Sequence, residues 1–253
     1  MSASNTPLRV ALVLIGNELL SGKIQDANGH YATRRLRALG AVVTRVVIIP
    51  DERDEIVDEL QRTMSKNDVV ITSGGVGPTH DDITLECIAA AFDVPCVLDP
   101  SLEALINRYF KDRVTSAHLR MATVPEGCSL IDVGEDTWPI VAMGPVYVLP
   151  GVPEIFRAKF ESLADRLRRG QWYLRSIYLN TDEGKIADLL RRLEDDYDVS
   201  IGSYPKWRGT DYRVRVTIEA LTPSLVDQAV ADGVAHLSDA EIVRIDPPVS
   251  PQG

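Results

Sequence analysis

The sequence predicts an α/β protein. A mostly parallel, three-layer α/β/α sandwich is expected over residues 1–170, and a small ferredoxin-like α+β domain over residues 171–253. Three observations lead there. The first half alternates short strand signals with amphipathic helix signals. Its strands are continuous apolar runs, the kind covered on both faces, which points to a parallel sheet with helices on either side. After Gly170 the order changes to β-α-β-β-α-β, the ferredoxin-like arrangement.

Each element has its own warrant. LRVALVLI (8–15) is an unbroken apolar run and reads as the first strand. After Asn28, Tyr31, Leu36 and Leu39 recur at a helical period that stops at Gly40. AVVTRVVII (41–49) is β-branched and strand-like. In 51–66, Ile56, Leu60 and Met64 fall four apart on one helix face. DVVIT (68–72) is the third strand; Leu85, Ile88, Ala89 and Phe92 mark the next helix, and 102–110 another. PIVAMGPVYVL (139–149) is a strand or a bent hairpin, with Gly144-Pro145 at the bend. A helix over 154–169 ends at Gly170. The second domain reads as strand 172–180, helix 183–197, strands 199–204 and 212–221, helix 223–238 and strand 241–245, with a frayed tail at 246–253.

Composition narrows the function. A chain of 253 residues holds one large domain, or a medium one and a small one, and 45% hydrophobic with 25% charged residues fits a globular protein. The net charge of −10 repels nucleic acid and anionic membranes, so neither is an expected partner, and a phosphate-bearing ligand needs a local site. Cys87, Cys96 and Cys128 show no C-x-x-C or zinc spacing and read as free thiols of a reducing cytosol. The opening MSASNTPLRV lacks the pattern of a signal peptide, and apolar runs such as 10–15 are too short to span a bilayer. A cytoplasmic location is expected. G-x-S-x-G and H-E-x-x-H are absent.

Three loops that follow strands of the first domain carry unusual chemistry, and ligands of open parallel sheets sit at such strand ends. The first is Gly16-Asn17-Glu18-Leu19-Leu20-Ser21-Gly22. Gly16 permits a sharp turn, and Asn17 and Glu18 stand where a metal or a ribose would be held. A plain turn with an N-cap is the alternative.

The second loop is TSGGVGPTHDDIT (72–84). It is not a P-loop, because no Lys-Ser/Thr follows the glycines, and His80 occupies the place of the third glycine of a dinucleotide fingerprint. What remains is a glycine-rich run of backbone N–H groups leading into a helix N-terminus, which suits an anion. Asp81 and Asp82 work against an anion. A divalent cation removes that conflict, since Mg²⁺ is usually held by one or two carboxylates plus phosphate oxygens. An N-cap role, worth about 1 kcal/mol, accounts for one aspartate but not for both. Thr79 and Thr84 are hydroxyl ligands or caps, and His80 reads as a surface residue.

The third loop, LPGVPE (149–154), brackets Gly151 with Pro150 and Pro153. It is either a rigid wall beside a ligand or strand-to-helix punctuation. In the second domain, 203–213 gathers Tyr204, Lys206, Trp207, Arg208, Tyr212 and Arg213. This is either a hairpin tip that stacks a base and contacts phosphate, or a solvated turn. The RNA-binding signature of ferredoxin-like folds is absent.

GNELLSGKIQDANG (16–29), TSGGVGPTHDDIT (72–84), PEG (125–127) and LPGVPE together resemble the molybdopterin-binding-like fold shared by molybdopterin adenylyltransferases and the competence/damage-inducible CinA family. GVGPTHDD (75–82) and GSYPKW (202–207) resemble the N-terminal molybdopterin-binding-like domain of eukaryotic FAD synthases, and the resemblance spans about 8–245. It implies a pyrophosphatase acting on ADP-ribose or FAD, helped by Mg²⁺ or Co²⁺ and by K⁺, in a homodimer. It also implies site residues. These are Gly16, Glu18, Leu20 and Gly22 in the first loop, Gly74, Gly75, Gly77, Pro78, Thr79, Asp81, Asp82 and Thr84 in the second, and Pro150, Gly151 and Pro153 in the third. Glu18, Asp81 and Asp82 are the catalytic candidates. Two other readings stand beside hydrolysis: adenylyl transfer to a pterin, and a nucleotide-binding module without turnover. The chain departs from the family at 133–144, where Trp138-Pro139 replaces an N-P-x-G-x-A-P-G segment. It contains neither a deamidase nor an adenylyltransferase domain, so neither nicotinamide mononucleotide deamidation nor FAD synthesis is expected of it.

Overall fold

The apolar runs that open the sequence become neighbouring strands at one side of a six-stranded sheet. A computed structural model describes residues 7–134, 137–208 and 211–249, which divide into two compact units at the Arg169–Gly170 junction. The first unit contains β1 (Arg9–Ile15), α1 (Asn17–Leu20), α2 (Asn28–Ala38), β2 (Val42–Ile49), α3 (Arg53–Met64), β3 (Val69–Ser73) and α4 (Thr84–Ala91). It continues with β4 (Cys96–Leu98), α5 (Pro100–Phe110), α6 (Ser116–Arg120), β5 (Thr123–Pro125), β6 (Ser129–Ile131), β7 (Ile140–Met143), β8 (Val146–Leu149), α7 (Pro153–Ser162) and α8 (Ala164–Leu167).

The sheet runs in the order β2-β1-β3-β8-β7-β6. The pairs β2-β1, β1-β3 and β3-β8 are parallel, and β8-β7 and β7-β6 are antiparallel. Alternation along each strand divides the core between two faces. Val10, Leu12 and Ile71 face Leu36 of α2 and Phe156 and Phe160 of α7. Ala11, Val13 and Val70 face Ile56 and Leu60 of α3, Ile88 of α4 and Ile106 of α5. Helices therefore cover both faces, as the alternating pattern requires. Residues 139–149 form the hairpin β7-β8, turning at Gly144-Pro145.

Two expectations change. The single helix expected over 154–169 is broken into α7 and α8. At the break the Ser162 hydroxyl donates to the Lys159 carbonyl at 2.6 Å, competing with the helix ladder. The tail is also tied down rather than frayed: Val249 and Leu174 exchange two backbone hydrogen bonds of 3.0 Å. Residues 250–253 lie outside the described residues.

The second unit contains β9 (Tyr173–Leu179), α9 (Glu183–Asp196), β10 (Ser200–Pro205), β11 (Val214–Ala220), α10 (Pro223–Ala235) and β12 (Ile242–Ile245). Its sheet order β10-β11-β9-β12 is antiparallel throughout, which is the ferredoxin-like topology. Ile177, Val216 and Ile218 pack against Ile186 and Leu193 of α9 and Val226 of α10.

The strand order places the candidate loops. The chain leaves β1 for β2 on one side and β3 on the other, so the order switches at β1, where open sheets bind ligands. The loops after β1, β3 and β8 then lie side by side. They are joined at Gly74, where φ is +107°. Its N–H donates to the Leu149 carbonyl at the end of β8, at 3.2 Å. A Cβ there would stand 2.2 Å from the Ile15 carbonyl oxygen at the end of β1. Gly74→Ala should therefore lower the unfolding free energy by about 3 kcal/mol, read by urea denaturation; a change under about 1 kcal/mol would show that the loop has room to yield.

Candidate functional site

A cavity of about 610 Å³ opens at these strand ends. Gly16 and Glu18 line it from the first loop. Gly74, Gly75, Gly77, Thr79, Asp81 and Asp82 line it from the second, and Pro150, Gly151 and Pro153 from the third. Five other candidates serve the walls from outside. Asn17 starts α1 and donates its N–H to Asp51 at 2.8 Å. Leu20 ends α1 and is exposed, and Gly22 lies in the turn after it. The Pro78 and Thr79 carbonyls accept from the Arg120 guanidinium at 2.8 and 2.9 Å. Thr84, read from sequence as a ligand or a cap, is fully buried, and its hydroxyl donates to the Gly74 carbonyl at 2.9 Å.

The local reasons differ from those expected at two points. Gly16 has φ 162°, an extended conformation open to any residue; what crowds it is the Glu18 carboxylate folded over it. The glycines also do not run directly into a helix. A turn over 78–82 intervenes, and α4 begins only at Thr84 after Ile83, with no side chain capping it. Neither aspartate is therefore a helix cap. Both turn back onto Thr79. The Thr79 N–H donates to Asp82 Oδ2 at 2.8 Å, and the Thr79 hydroxyl lies 2.5 Å from both Asp81 Oδ1 and Asp82 Oδ2. One hydroxyl has one proton and satisfies one carboxylate. The third oxygen stands against lone pairs.

The charge at the cavity is one-sided. Glu18, Asp26, Asp51, Asp81 and Asp82 line it, and Lys159 is the one cation among the described lining residues. Asp26 is consumed by the first turn of α2, accepting from the N–H groups of Asn28 and Gly29 at 2.9 Å. The other four share a field. Burial pushes the Asp51 carboxyl up; the Asn17 N–H opposes this, and the Glu18, Asp81 and Asp82 charges add to it. The Thr79 hydroxyl draws Asp81 below the usual carboxylate range. The His80 side chain is 95% exposed, a surface residue 3.9 Å from Asp81.

The metal question rests on the donor set. Among the described residues no group of three or more His, Cys, Asp or Glu side chains is arranged to hold a metal. Asp81, Asp82 and the Thr79 hydroxyl supply three hard oxygens at one point. That fits a cation such as Mg²⁺, which takes one or two carboxylates and completes its shell with water and phosphate oxygens.

Three residues escaped the sequence reading. Asp51 follows β2 within what reads as the start of a helix. Asn28 is only 6% exposed; its amide donates to Ser73 Oγ at 3.0 Å and the Gly151 carbonyl at 2.8 Å, while its buried Oδ1 has no partner. Lys159 on α7 is only 5% exposed; its ammonium donates to the Trp138 carbonyl and, at 3.1 Å, to the Pro139 carbonyl. A polar residue on an otherwise apolar helix face was the signal for Lys159. No local pattern marks the other two.

Residues 11–169 match the family described as a probable molybdopterin binding domain, and 171–246 match the FAD synthase, middle domain. The first match covers more than half of the chain. The chain belongs to this molybdopterin-binding domain family. It is 33% identical to a probable FAD synthase of Caenorhabditis briggsae over 93% of this chain and 50% of that protein. It thus spans half the length of that relative. It is 40% identical to a CinA-like protein of Myxococcus xanthus over 61% of this chain and 38% of that protein. Among solved structures, a CinA protein of unknown function from Thermoplasma acidophilum superposes with a TM-score of 0.59 and 31% identity, over 65% of this chain and 99% of that one. Of the segment 133–144, expected to depart from the family pattern, Glu135 and Asp136 lie outside the described residues.

The second unit holds Tyr204 and Lys206 in contacts of its own. In register across four strands stand Tyr204, Arg215, Tyr178 and Arg244. The guanidinium groups lie 4.9 Å from the Tyr204 ring and 3.6 Å from the Tyr178 ring. Lys206 pairs with Asp211 at 2.7 Å. Gly209 and Thr210 of this tip lie outside the described residues. No helix among the described residues is long and apolar enough to cross a membrane.

Lys159 gives a pH prediction. Burial pushes its ammonium down from 10.5 to about 8. Between those values the unfolded chain keeps a proton that the folded one has released, so stability rises with pH. The cost of the buried charge is full below pH 8 and gone by about pH 10.5. Relative to Lys159→Met, the wild type should gain up to about 3 kcal/mol between pH 7 and pH 10 in paired urea titrations. A constant difference would contradict the desolvated ammonium.

Proposed function

We propose that the first unit binds an adenine dinucleotide-like substrate, ADP-ribose or FAD, and hydrolyses its pyrophosphate with the help of Mg²⁺ or Co²⁺. The observation that carries this reading is the Asp81–Asp82–Thr79 cluster. The two aspartates do not cap α4, and they converge on one hydroxyl at the rim of a cavity floored by a glycine turn. Resemblance to CinA-like proteins and to an FAD synthase supports the nucleotide class.

The residues divide the work. The N–H groups of Gly75, Val76 and Gly77 donate to phosphate oxygens, with Gly74 fixing their direction. Asp81, Asp82 and Thr79 would hold a divalent metal, which would supply Lewis-acid neutralisation of charge on the phosphates. Glu18, which also lines the cavity, accepts a proton from the attacking water and orients it. Water adds to one phosphorus, the bridging P–O bond breaks, and two phosphomonoesters leave. Phosphoryl chemistry of this kind runs on positioning and electrostatics, so no covalent nucleophile is required. Pro150 and Pro153 hold the loop around Gly151 rigid, as a wall beside the substrate.

A second reading, adenylyl transfer to molybdopterin, is favoured by the family description of residues 11–169. It predicts ATP consumption that depends on added molybdopterin.

The test is a chromatographic screen of ADP-ribose and FAD with Mg²⁺, Mn²⁺ or Co²⁺, with and without K⁺. AMP should appear, and Asp81→Asn and Asp82→Asn should each slow its release at least about 100-fold while melting as the wild type does. Undiminished release by both variants would overturn the assignment.

A further inference from the structure

The cavity is not lined by carboxylates and backbone alone: Val76, Leu85, Met121 and Trp138 also line it. Trp138 is half-buried against the core and still lines the cavity.

Its backbone is held twice. Pro139 follows it and restricts it to extended conformations. The Lys159 ammonium takes its carbonyl and the next one. That anchor is costly, because a buried ammonium loses its hydration and has no carboxylate partner among the described residues. Two neutral carbonyls return only part of that. A core helix would ordinarily place an apolar side chain at this position, beside Phe156 and Phe160. The lysine fixes one short stretch of wall, and Trp138 is the part of that stretch with a large planar face.

We infer that Trp138 is a ring-binding subsite, stacking the planar heteroaromatic ring of the ligand whose phosphates lie at Asp81 and Asp82, and that Lys159 positions it. The inference rests on the reading that this cavity takes a nucleotide. It does not require hydrolysis. The size agrees, since cavities of about 300–1,000 Å³ accommodate ligands of this class. An adenine and an isoalloxazine offer the same stacking chemistry, and both occur in substrates of the proposed kind.

Binding of AMP, FMN and ribose 5-phosphate, each with Mg²⁺, separates the ring contact from the phosphate contact. None of the three contains a pyrophosphate, so the result is independent of turnover. Trp138→Ala should weaken AMP or FMN roughly 10-fold and leave ribose 5-phosphate unchanged, while Trp138→Phe, which keeps a ring, stays within a few-fold of the wild type. AMP weakened alone assigns the subsite to adenine, and FMN weakened alone assigns it to the flavin ring. Stacking also quenches flavin emission. Lys159→Met should lose that quench as Trp138→Ala does, with ribose 5-phosphate affinity intact, a pattern that loosened packing alone does not give. Equal losses for all three ligands, no loss of AMP or FMN with Trp138→Ala, or a wild type that binds neither ring-bearing ligand would overturn the inference.

Discussion

The close approach of Gly74 to the end of β1 is the constraint on which the site depends. Three strands that need no common ligand end together there. Gly74 hydrogen-bonds to the end of β8, faces the Ile15 carbonyl where a Cβ would clash, and receives the Thr84 hydroxyl on its own carbonyl. Gly151 packs on its other side, where an added Cβ would lie 3.5 Å from the Gly74 Cα. A left-handed residue in such contact leaves little freedom to the loop that follows. Thr79, Asp81 and Asp82 are thereby delivered to one rim of the cavity, and Arg120 clamps their turn through two carbonyls.

That delivery creates an electrostatic problem the protein does not solve alone. Four carboxylates, of Glu18, Asp51, Asp81 and Asp82, share a cavity whose floor is a glycine turn suited to an anion. Thr79 offers one proton to two carboxylate oxygens at 2.5 Å. Burial chiefly pushes the Asp51 carboxyl up, and the neighbouring Glu18, Asp81 and Asp82 charges add to that push. Under the proposed function, a divalent cation would remove the repulsion and let the acidic rim and the glycine floor serve one ligand, and Trp138, anchored by Lys159, would meet its ring.

The loops were legible in the sequence because their signals are local. A glycine pair that stops an apolar run, two adjacent aspartates and a proline-bracketed glycine each break a strand pattern within six residues. Strand alternation put each loop at a strand end, but the strand order that sets the three side by side rests on long-range pairing and has no local signal. Other features depend on distant partners and leave no local mark. Asn28 bonds to Ser73 and Gly151, and Lys159 bonds to the carbonyls of Trp138 and Pro139; none of these pairings has a spacing rule. Strands β4, β5 and β6 have three residues each, too few to show a period. The helix break after Ser162 turned on one hydroxyl, and the docking of Val249 on a pairing 75 residues away along the chain. Thr84 read as a ligand because its type and place suited one, whereas burial gave it to Gly74.

If the acidic rim and the glycine floor cooperate only through a cation, ADP-ribose should bind differently in EDTA and in saturating Mg²⁺, as read by calorimetry. Wild-type affinity should rise at least about 10-fold with Mg²⁺, and the Asp81→Asn/Asp82→Asn double variant should bind with one affinity in both buffers. Equal wild-type affinity with and without the cation would show that rim and floor act independently.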